Sequence, residues 1–368
     1  MTKILCTADN HLGYRQYGLQ VREQDIYDSF DSIIQTACRE EVDAITISGD
    51  LIHATRPSSV TIAFLKQCQN RLMAAGMPAL VIAGNHDNNK PHWLKTLCTS
   101  SDWDGDDSLG GFKLLENETY EVGDMKIFGA PFTNKLNWTH TKTIVPEDTD
   151  ILLMHQSFQE FIQFETEDAF SKEDVEGLAK IVVVGDIHVT MKAVDSQIYS
   201  PGSSELMSLT EEPQKYVLMV DNDHGQGKHM PLNSHFIEIP TRPVISETLA
   251  TNDCVTALFV RLREKIINKA PLVFIKCNHK LVGVIERLRD LYEDRMIIRA
   301  KYYNPEVEQA VALHKEVSLE EVLDKFIKPT ASNYQLAVKL LNPECDARYE
   351  IDAYIEEVLE QDVSDRNL

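Results

Sequence analysis

Ile45-Thr46-Ile47-Ser48-Gly49-Asp50-Leu51-Ile52-His53 reads as a short buried strand that ends in turn chemistry and releases Asp50 as the chain leaves the sheet. Its alternating β-branched residues, bounded by Gly, give the strand. In an α/β sheet, ligands bind beyond the carboxyl ends of such strands. A single Asp there is also common turn chemistry. Four other runs repeat the arrangement. Ile4-Leu5-Cys6 leads into Asp9-Asn10-His11, and Ala79-Leu80-Val81-Ile82 leads into Gly84-Asn85-His86-Asp87. Ile151-Leu152-Leu153-Met154 leads straight into His155, and Ile181-Val182-Val183-Val184 into Gly185-Asp186-Ile187-His188. Five strand ends thus deliver Asp, His and Asn to one rim. Hard or borderline divalent metals favour that mixture of carboxylate, imidazole and amide oxygen, and the pattern asks for two ions bridged by Asp50.

A chain of 368 residues exceeds one typical domain, and an apolar content of 43% allows a sizeable core. Met1-Thr2-Lys3 enters a strand directly, which leaves no room for a signal segment before Asp9. No apolar run reaches the roughly 18 residues that span a bilayer, so the expected location is the cytoplasm, or a host's cytoplasm if the source is viral. The seven cysteines contain no C-x-x-C pair and read as reduced thiols. Net charge is −22, which argues against loose coating of nucleic acid. The distribution is uneven: residues 243–303 carry +4, against −17 for 1–242 and −9 for 304–368. A weakly basic island in an acidic chain is either a solvated fluctuation or a face for a phosphate backbone.

Helical periodicity from about Gln24 (Ile26, Phe30, Ile33, Ile34, Ala37) completes a β-α-β unit at Val42-Asp43-Ala44. A second helix follows Arg56-Pro57-Ser58-Ser59 and carries Val60, Phe64, Leu65, Cys68, Leu72 and Met73. Residues 88–111 read as a long acidic surface loop, with Asp102, Asp104, Asp106 and Asp107 lacking the spaced pattern of a calcium loop. The stretch 158–180 reads as a mobile polar segment. Closing strands follow at 216–220 and 236–239. Residues 243–303 read as a small α+β unit, with helices over 252–268 and 282–292 and strands over 273–276 and 296–301. In the tail, Ser318-Leu319-Glu320-Glu321 is a capping box opening a helix, and a last amphipathic stretch carries Ile351, Tyr354, Ile355, Val358 and Leu359.

Taken singly, Asp9 could cap a turn and Asn85 could occupy one. The ordered set D-x-H, G-D, G-N-H-D, H and G-x-x-H is far more specific. Across residues 1–240 the chain resembles the calcineurin-like metallophosphoesterases. Leu12-Gly13-Tyr14-Arg15-Gln16-Tyr17-Gly18, then Arg22 to Phe30 and Gly49-Asp50-Leu51-Ile52-His53-Ala54-Thr55-Arg56-Pro57-Ser58, is similar to one branch: the nuclease subunit of the double-strand-break repair complex. It resembles the archaeal and eukaryotic type more than bacterial SbcD. Tyr199-Ser200-Pro201-Gly202-Ser203-Ser204 and Ser208-Leu209-Thr210-Glu211 also resemble that branch.

The resemblance implies a two-sheet α/β sandwich flanked by helices (1–242), a small α+β DNA-capping domain (243–303) and a helical tail (304–368) that binds a partner ATPase. It implies that Asp9, His11 and His188 hold one divalent ion, that Asn85, His155 and Asp186 hold another, and that Asp50 bridges them. Asp186 stands where the family usually has His, and its carboxylate favours Mn2+ or Mg2+ over softer ions. His86 would stabilise the transition state or protonate the leaving group, and His53 would orient a DNA phosphate. Tyr14, Arg15, Arg56, Ser203 and Ser204 would contact DNA. The implied function is a manganese-dependent DNA exonuclease and single-strand endonuclease, homodimeric and working with an SbcC-like coiled-coil ATPase. The alternatives are a phosphoesterase for a small phosphodiester or phosphoprotein, and a non-catalytic DNA-end scaffold.

Overall fold

The structure is a computed structural model and describes residues 1–87, 93–98, 110–162, 166–208, 211–222, 232–249, 251, 257–258, 270–292 and 296–303. The chain divides into one unit of Met1–Ile245 with Ile267–Leu272, and a second of Ser246–Ile266 with Val273 onward.

The first unit is a sandwich of two mixed sheets. Strands β1 (Lys3–Thr7), β2 (Ala44–Ser48), β3 (Pro78–Ile82) and β4 (Gly111–Leu114) run parallel. On the far side of β1 lie β11 (Lys215–Asp221) and β12 (Asn233–Ile239), both antiparallel. The second sheet has the order β5 (Glu118–Val122), β6 (Met125–Ala130), β7 (Ile151–His155), β8 (Ile181–Gly185), β10 (Ile198–Ser200), β9 (Met191–Lys192).

Side chains that alternate along a strand go to opposite faces, and here the two faces feed different cores. Leu5, Ile45, Ile47, Ala79 and Val81 pack under helices α1 (Gln20–Arg39) and α2 (Ser59–Ala74). Their neighbours Ile4, Cys6, Ala44, Leu80 and Ile82 meet Ile127, Ile151, Leu153, Ile181 and Val183 of the other sheet. The outer face of that sheet presents Leu152, Met154, Val182 and Val184 to Trp138, Phe158 and Phe170. Five parallel strand ends therefore sit on rigid, doubly covered elements, and the loops leaving them inherit that rigidity.

Helix α1 begins at Gln20, four residues before the expected start. Its first turns are fixed by charge rather than by an apolar face. Arg22 is fully buried and donates to Asp25 (2.8 Å), Glu205 (3.2 Å) and the Leu206 carbonyl (3.0 Å). Buried Arg242 grips the same Asp25 through Nε and Nη2 (2.5 and 2.8 Å). Ionic groups out of water hold only when each is paired, and removing one partner costs about 3–5 kcal/mol. The network ties the loop after β10 to α1.

Two expectations need correction, and one strand was not expected. Within the supposed loop 88–111 the chain forms helix α3 (Trp93–Cys98) with Leu94 buried, and its acidic run lies outside the described residues. Strand β5 pairs with β6 as a hairpin edge, and its mostly exposed polar faces hid it from a pattern reading. The segment 158–180 is anchored rather than mobile where described. Phe158, Phe161 and Phe170 are buried there, Gln159 N–H bonds the Phe170 carbonyl (2.7 Å), and the short helix Lys172–Val175 opens with a capping box at Ser171.

A third sheet has the order β13 (Val244–Leu249), β14 (Leu272–Asn278), β15 (Ile297–Tyr303), and most of it, with a helix Val282–Tyr292, belongs to the second unit. Val273, Ile275 and Cys277 are buried on alternate positions of β14. The expected helix over 252–268 falls almost wholly outside the described residues, and the tail 304–368 does so entirely. Among the described residues no helix is long and apolar enough to cross a membrane, and Cys6, Cys38, Cys68, Cys98 and Cys277 are free thiols.

Candidate metal centre

Backbone strain marks the site first. Asp9, His11, Asp50 and Asp186 all adopt positive φ (49°, 47°, 51° and 84°), a region that non-glycine residues enter at a cost of about 1 kcal/mol each. The loops after β1 and β2 are zipped together and hold that strain: Asp9 N–H to Gly49 O (3.2 Å), His11 N–H to Asp50 O (2.9 Å), Leu12 N–H to Leu51 O (2.8 Å) and His53 N–H to Leu12 O (3.1 Å). Gly49 (φ +86°) must be Gly, because a Cβ there would run into the His155 ring. Gly84 is as constrained, facing the Asp50 carboxylate.

Two groups of donors share one oxygen. Asp50 Oδ2 lies 3.6 Å from His11 Nε2 and 3.6 Å from His155 Nε2. On the His11 side, His11 Nε2 and His188 Nε2 are 3.2 Å apart, and Asp9 joins them within 4.8 Å. On the His155 side, the Ser48 carbonyl accepts from Nδ1 (2.8 Å), so Nε2 carries the free lone pair. That lone pair faces Asn85 Oδ1 (3.2 Å), Asp50 Oδ2 (3.6 Å) and Asp186 Oδ1 (3.9 Å). One nitrogen among three oxygens calls for positive charge at that point, a proton on Nε2 or a metal cation in its place. Asp9 Oδ2 is buried without a hydrogen-bond partner, a cost that a cation would remove. The residues fit a divalent pair.

The electrostatics agree. Burial pushes the Asp9 carboxyl up to about 6, and nearby histidines oppose the shift. Burial, followed by the neighbouring histidines, drives His11 well below the ordinary value, so it is a neutral imidazole suited to ligation. Burial opposes charge on His155, yet Asp9, Asp50 and Asp186 together hold its pKa above normal. Burial also opposes charge on His188, yet Glu211 and Asp9 raise it.

At the rim, His86 donates Nδ1–H to the His53 carbonyl (3.0 Å), which leaves Nε2 free, and His86 stacks on His53 (centroids 5.0 Å apart). His53 contacts His11 Nδ1 (3.3 Å) and packs against Tyr14 (4.2 Å). Its pKa falls to about 4, through burial first and then the charges of His86 and His188. Arg56 is exposed, and Arg15 is half-exposed while pairing with Glu23 (2.8 Å). Ser203 and Ser204 require correction. Both are fully buried, Ser203 Oγ inside a polar network and the Ser204 carbonyl held by Ser29, so neither offers DNA a surface.

Four residues act here that motif reading gave no role. Asp87, the last residue of G-N-H-D, accepts from the N–H groups of Leu51, Ile52 and Gly84 (3.1, 3.0 and 3.2 Å) and clamps the β2 and β3 loops together. Burial, followed by Asp50, pushes its carboxyl up to about 7. Glu211 Oε1 lies 3.4 Å from His188 Nδ1, and Glu211 Oε2 accepts from buried Lys215 (2.6 Å). Lys215 also donates to the His188 carbonyl (3.1 Å). Ser157 donates to Asp186 Oδ2. Glu211 stands in a segment whose sequence already resembled the nuclease branch, but nothing in the spacing links Ser157 to Asp186.

The matched family covers residues 2–190, the span that contains every donor at the centre. The chain belongs to the calcineurin-like phosphoesterase family. Calcineurin-like phosphoesterases use a dinuclear divalent metal centre, and the donors for one are present here. Relatives named DNA double-strand break repair protein Mre11 are similar over most of the chain. The protein from Methanosarcina mazei is 27% identical over 74% of this chain and 49% of its own length. That from Sulfurisphaera tokodaii is 28% identical over 72% and 68%. That from Sulfolobus acidocaldarius is 21% identical over 95% and 97%. The chain thus spans about half the length of the Methanosarcina relative.

Proposed function

We propose that this chain is a DNA nuclease that hydrolyses phosphodiester bonds at DNA ends, as exonuclease on duplex and endonuclease on single strands, in double-strand-break repair. The observation that carries the reading is Asp50 Oδ2, equidistant from His11 and His155 at 3.6 Å and so set to bridge two cations. Asp9, His11 and His188 would hold one ion; Asn85, His155 and Asp186 the other. Manganese is the proposed metal. Bound there, the pair supplies Lewis-acid activation of water and neutralises phosphate charge.

The protein's own groups do the rest. Asp87 and the zipped loops fix Asp50, so the donors need not reorganise during the reaction. His86, anchored through Nδ1 and packed edge-on against His11 (ring centroids 5.0 Å apart), keeps Nε2 free beside the donors, where it can offset growing negative charge or protonate the departing sugar oxygen. His53 and Tyr14 form a stacked wall beside His11 that would seat a DNA phosphate, with Arg15 and Arg56 on the exposed approach. The names of the archaeal relatives support DNA as the substrate and a role in break repair. We assign the partner as an SbcC-like coiled-coil ATPase docking on the tail. Self-association would use α2, where Val60 and Ile62 are 60% and 38% exposed.

The test is hydrolysis of linear duplex, single-stranded DNA and bis-p-nitrophenyl phosphate with manganese. Cleavage of both DNAs is expected. Turnover of the small ester alone would remove the nuclease reading and leave a phosphoesterase of small substrates.

A further inference from the structure

Five strand ends bring donors to the centre, and a sixth brings something else. Strand β6 runs parallel to β7, with Ala130 beside Met154, so it ends at the same rim as His155. Its exit reads Pro131-Phe132 and offers no metal ligand. Pro131 fixes its own φ, and Phe132 N–H bonds the Ala83 carbonyl (2.8 Å), just before Gly84-Asn85. Phe132 is thereby tied to the loop that carries Asn85. Its ring meets the His155 imidazole edge-on, with centroids 6.2 Å apart and planes at 69°.

This ring is kept in water. Phe132 is 38% exposed, the most exposed phenylalanine among the described residues. A lone exposed apolar residue is ordinary on a surface, but this one stands on the open side of the centre, beside exposed Asn85 and partly exposed Asp186. The His53–Tyr14 pair stands at the His11 half, so aromatic planes flank both halves.

The charge of the unit calls for a contact of this kind. Residues 1–242 carry −17, so a wide basic face is not what holds a polyanion here. Buried Lys215 is committed to Glu211, and Arg15 pairs with Glu23. A base stacked on an aromatic ring adds affinity without charge, whichever base it is.

We propose that Phe132 is a stacking platform for the base of a nucleotide next to the scissile phosphate. The inference rests on the nuclease reading above and adds how the strand is seated. Bases inside a duplex are covered on both faces by their neighbours, so the ring receives only a base that has left its stack. Phe132 thus ties cleavage to single strands and frayed ends.

The experiment uses the full-length chain with manganese and end-blocked single-stranded oligonucleotides, with or without one abasic residue. Internal cleavage is mapped bond by bond on a sequencing gel. One bond beside the abasic residue should be cut about 10-fold more slowly than the same bond in the intact strand. Phe132→Leu keeps an apolar cover on His155 but has no flat face. In that variant KM for the intact strand should rise about 10-fold, manganese content should stay at the unaltered level, and the local slowing should vanish. Phe132→Trp should restore both KM and the slow bond. A Phe132→Leu variant with unaltered KM overturns the platform, as does local slowing that is absent from the unaltered chain or persists in the variant. Loss of manganese from Phe132→Leu would make the ring a support for His155 and likewise overturn it. No cleavage of any oligonucleotide by the unaltered chain would overturn the nuclease reading itself, and the platform with it.

Discussion

The floor and the rim of the centre are built by different means. The floor residues Asp9, Asp50 and His155 are at most 2% exposed, and backbone groups hold them: Asp186 N–H on Asp9, His86 N–H on Asp50, and the Ser48 carbonyl on His155. The rim residues His53 and His86 are partly exposed and lean on one another through a ring contact. A buried polar group with one partner too few is costly, so the floor has little freedom. Exposed groups can exchange one hydrogen bond for water, so the rim can adapt to a substrate. Substitutions on the floor should therefore remove the centre, and substitutions on the rim should remove chemistry alone.

Asp50→Asn tests the floor and carries the largest expected effect. An amide can keep the Oδ1 acceptor for His86 N–H, so the loop should survive. It replaces Oδ2, the atom 3.6 Å from both His11 and His155, with a donor that cannot bridge cations. Hydrolysis should fall by about 10^4-fold, with an unchanged circular dichroism spectrum and fewer bound manganese ions. Full turnover in this variant would break the floor-and-rim distinction.

His86→Ser tests the rim. Its ring is bound by one hydrogen bond and stacking, and no floor residue depends on its side chain. Cleavage should drop by about 10^2- to 10^4-fold, the usual worth of a positioned acid or charge stabiliser, while metal content stays at the unaltered level. Loss of metal together with activity would move His86 from rim to floor.

What was legible in the sequence follows the same division. Floor residues sit at strand ends, where alternating apolar runs and Gly announce them, so Asp9, Asp50 and His155 could be read before any coordinates. The buried parallel strands were legible for the same reason, since each is a nearly unbroken apolar run; their division into two sheets came only from the family resemblance. Bracing contacts were not legible. Glu211 reaches His188 from 23 positions away across an intervening strand pair, and Ser157 faces Asp186 from the neighbouring strand end. Neither contact follows from spacing, because tertiary pairing alone creates it. Ser203 and Ser204 failed in the opposite direction. The family resemblance placed them at the DNA, but the ionic network of Arg22, Glu205 and Arg242 draws that loop inward.

Glu211→Gln sharpens the comparison at the wall between the two regions. Losing the carboxylate behind an imidazole ligand typically costs about 10- to 100-fold in metal affinity. The effect should fall on one manganese ion of the two, measured by calorimetric titration. Lys215 is buried and loses its ionic partner in this variant, so Glu211→Gln/Lys215→Met serves as the control. If the double variant regains thermal stability yet still binds one ion weakly, the carboxylate acts on the metal through His188. Recovery of both would make Glu211 a structural group only.

Ser157→Ala should show the smallest effect and is the most selective. The hydroxyl is a single donor to one carboxylate oxygen, and Asp186 keeps 24% of its side chain in contact with solvent, so water can replace the lost bond. A hydrogen bond to a charged group that is partly solvated contributes about 1 kcal/mol, or a few-fold in affinity. The freed Oδ2 would also let the carboxylate rotate. Calorimetric titration with manganese should show a few-fold weaker binding of the ion that Glu211→Gln leaves untouched. Because Glu211 braces His188 and Ser157 braces Asp186, the two variants should weaken different ions, and their effects should add in the double variant. Coupling between them would mean that the shared Asp50 carboxylate transmits strain from one half of the centre to the other.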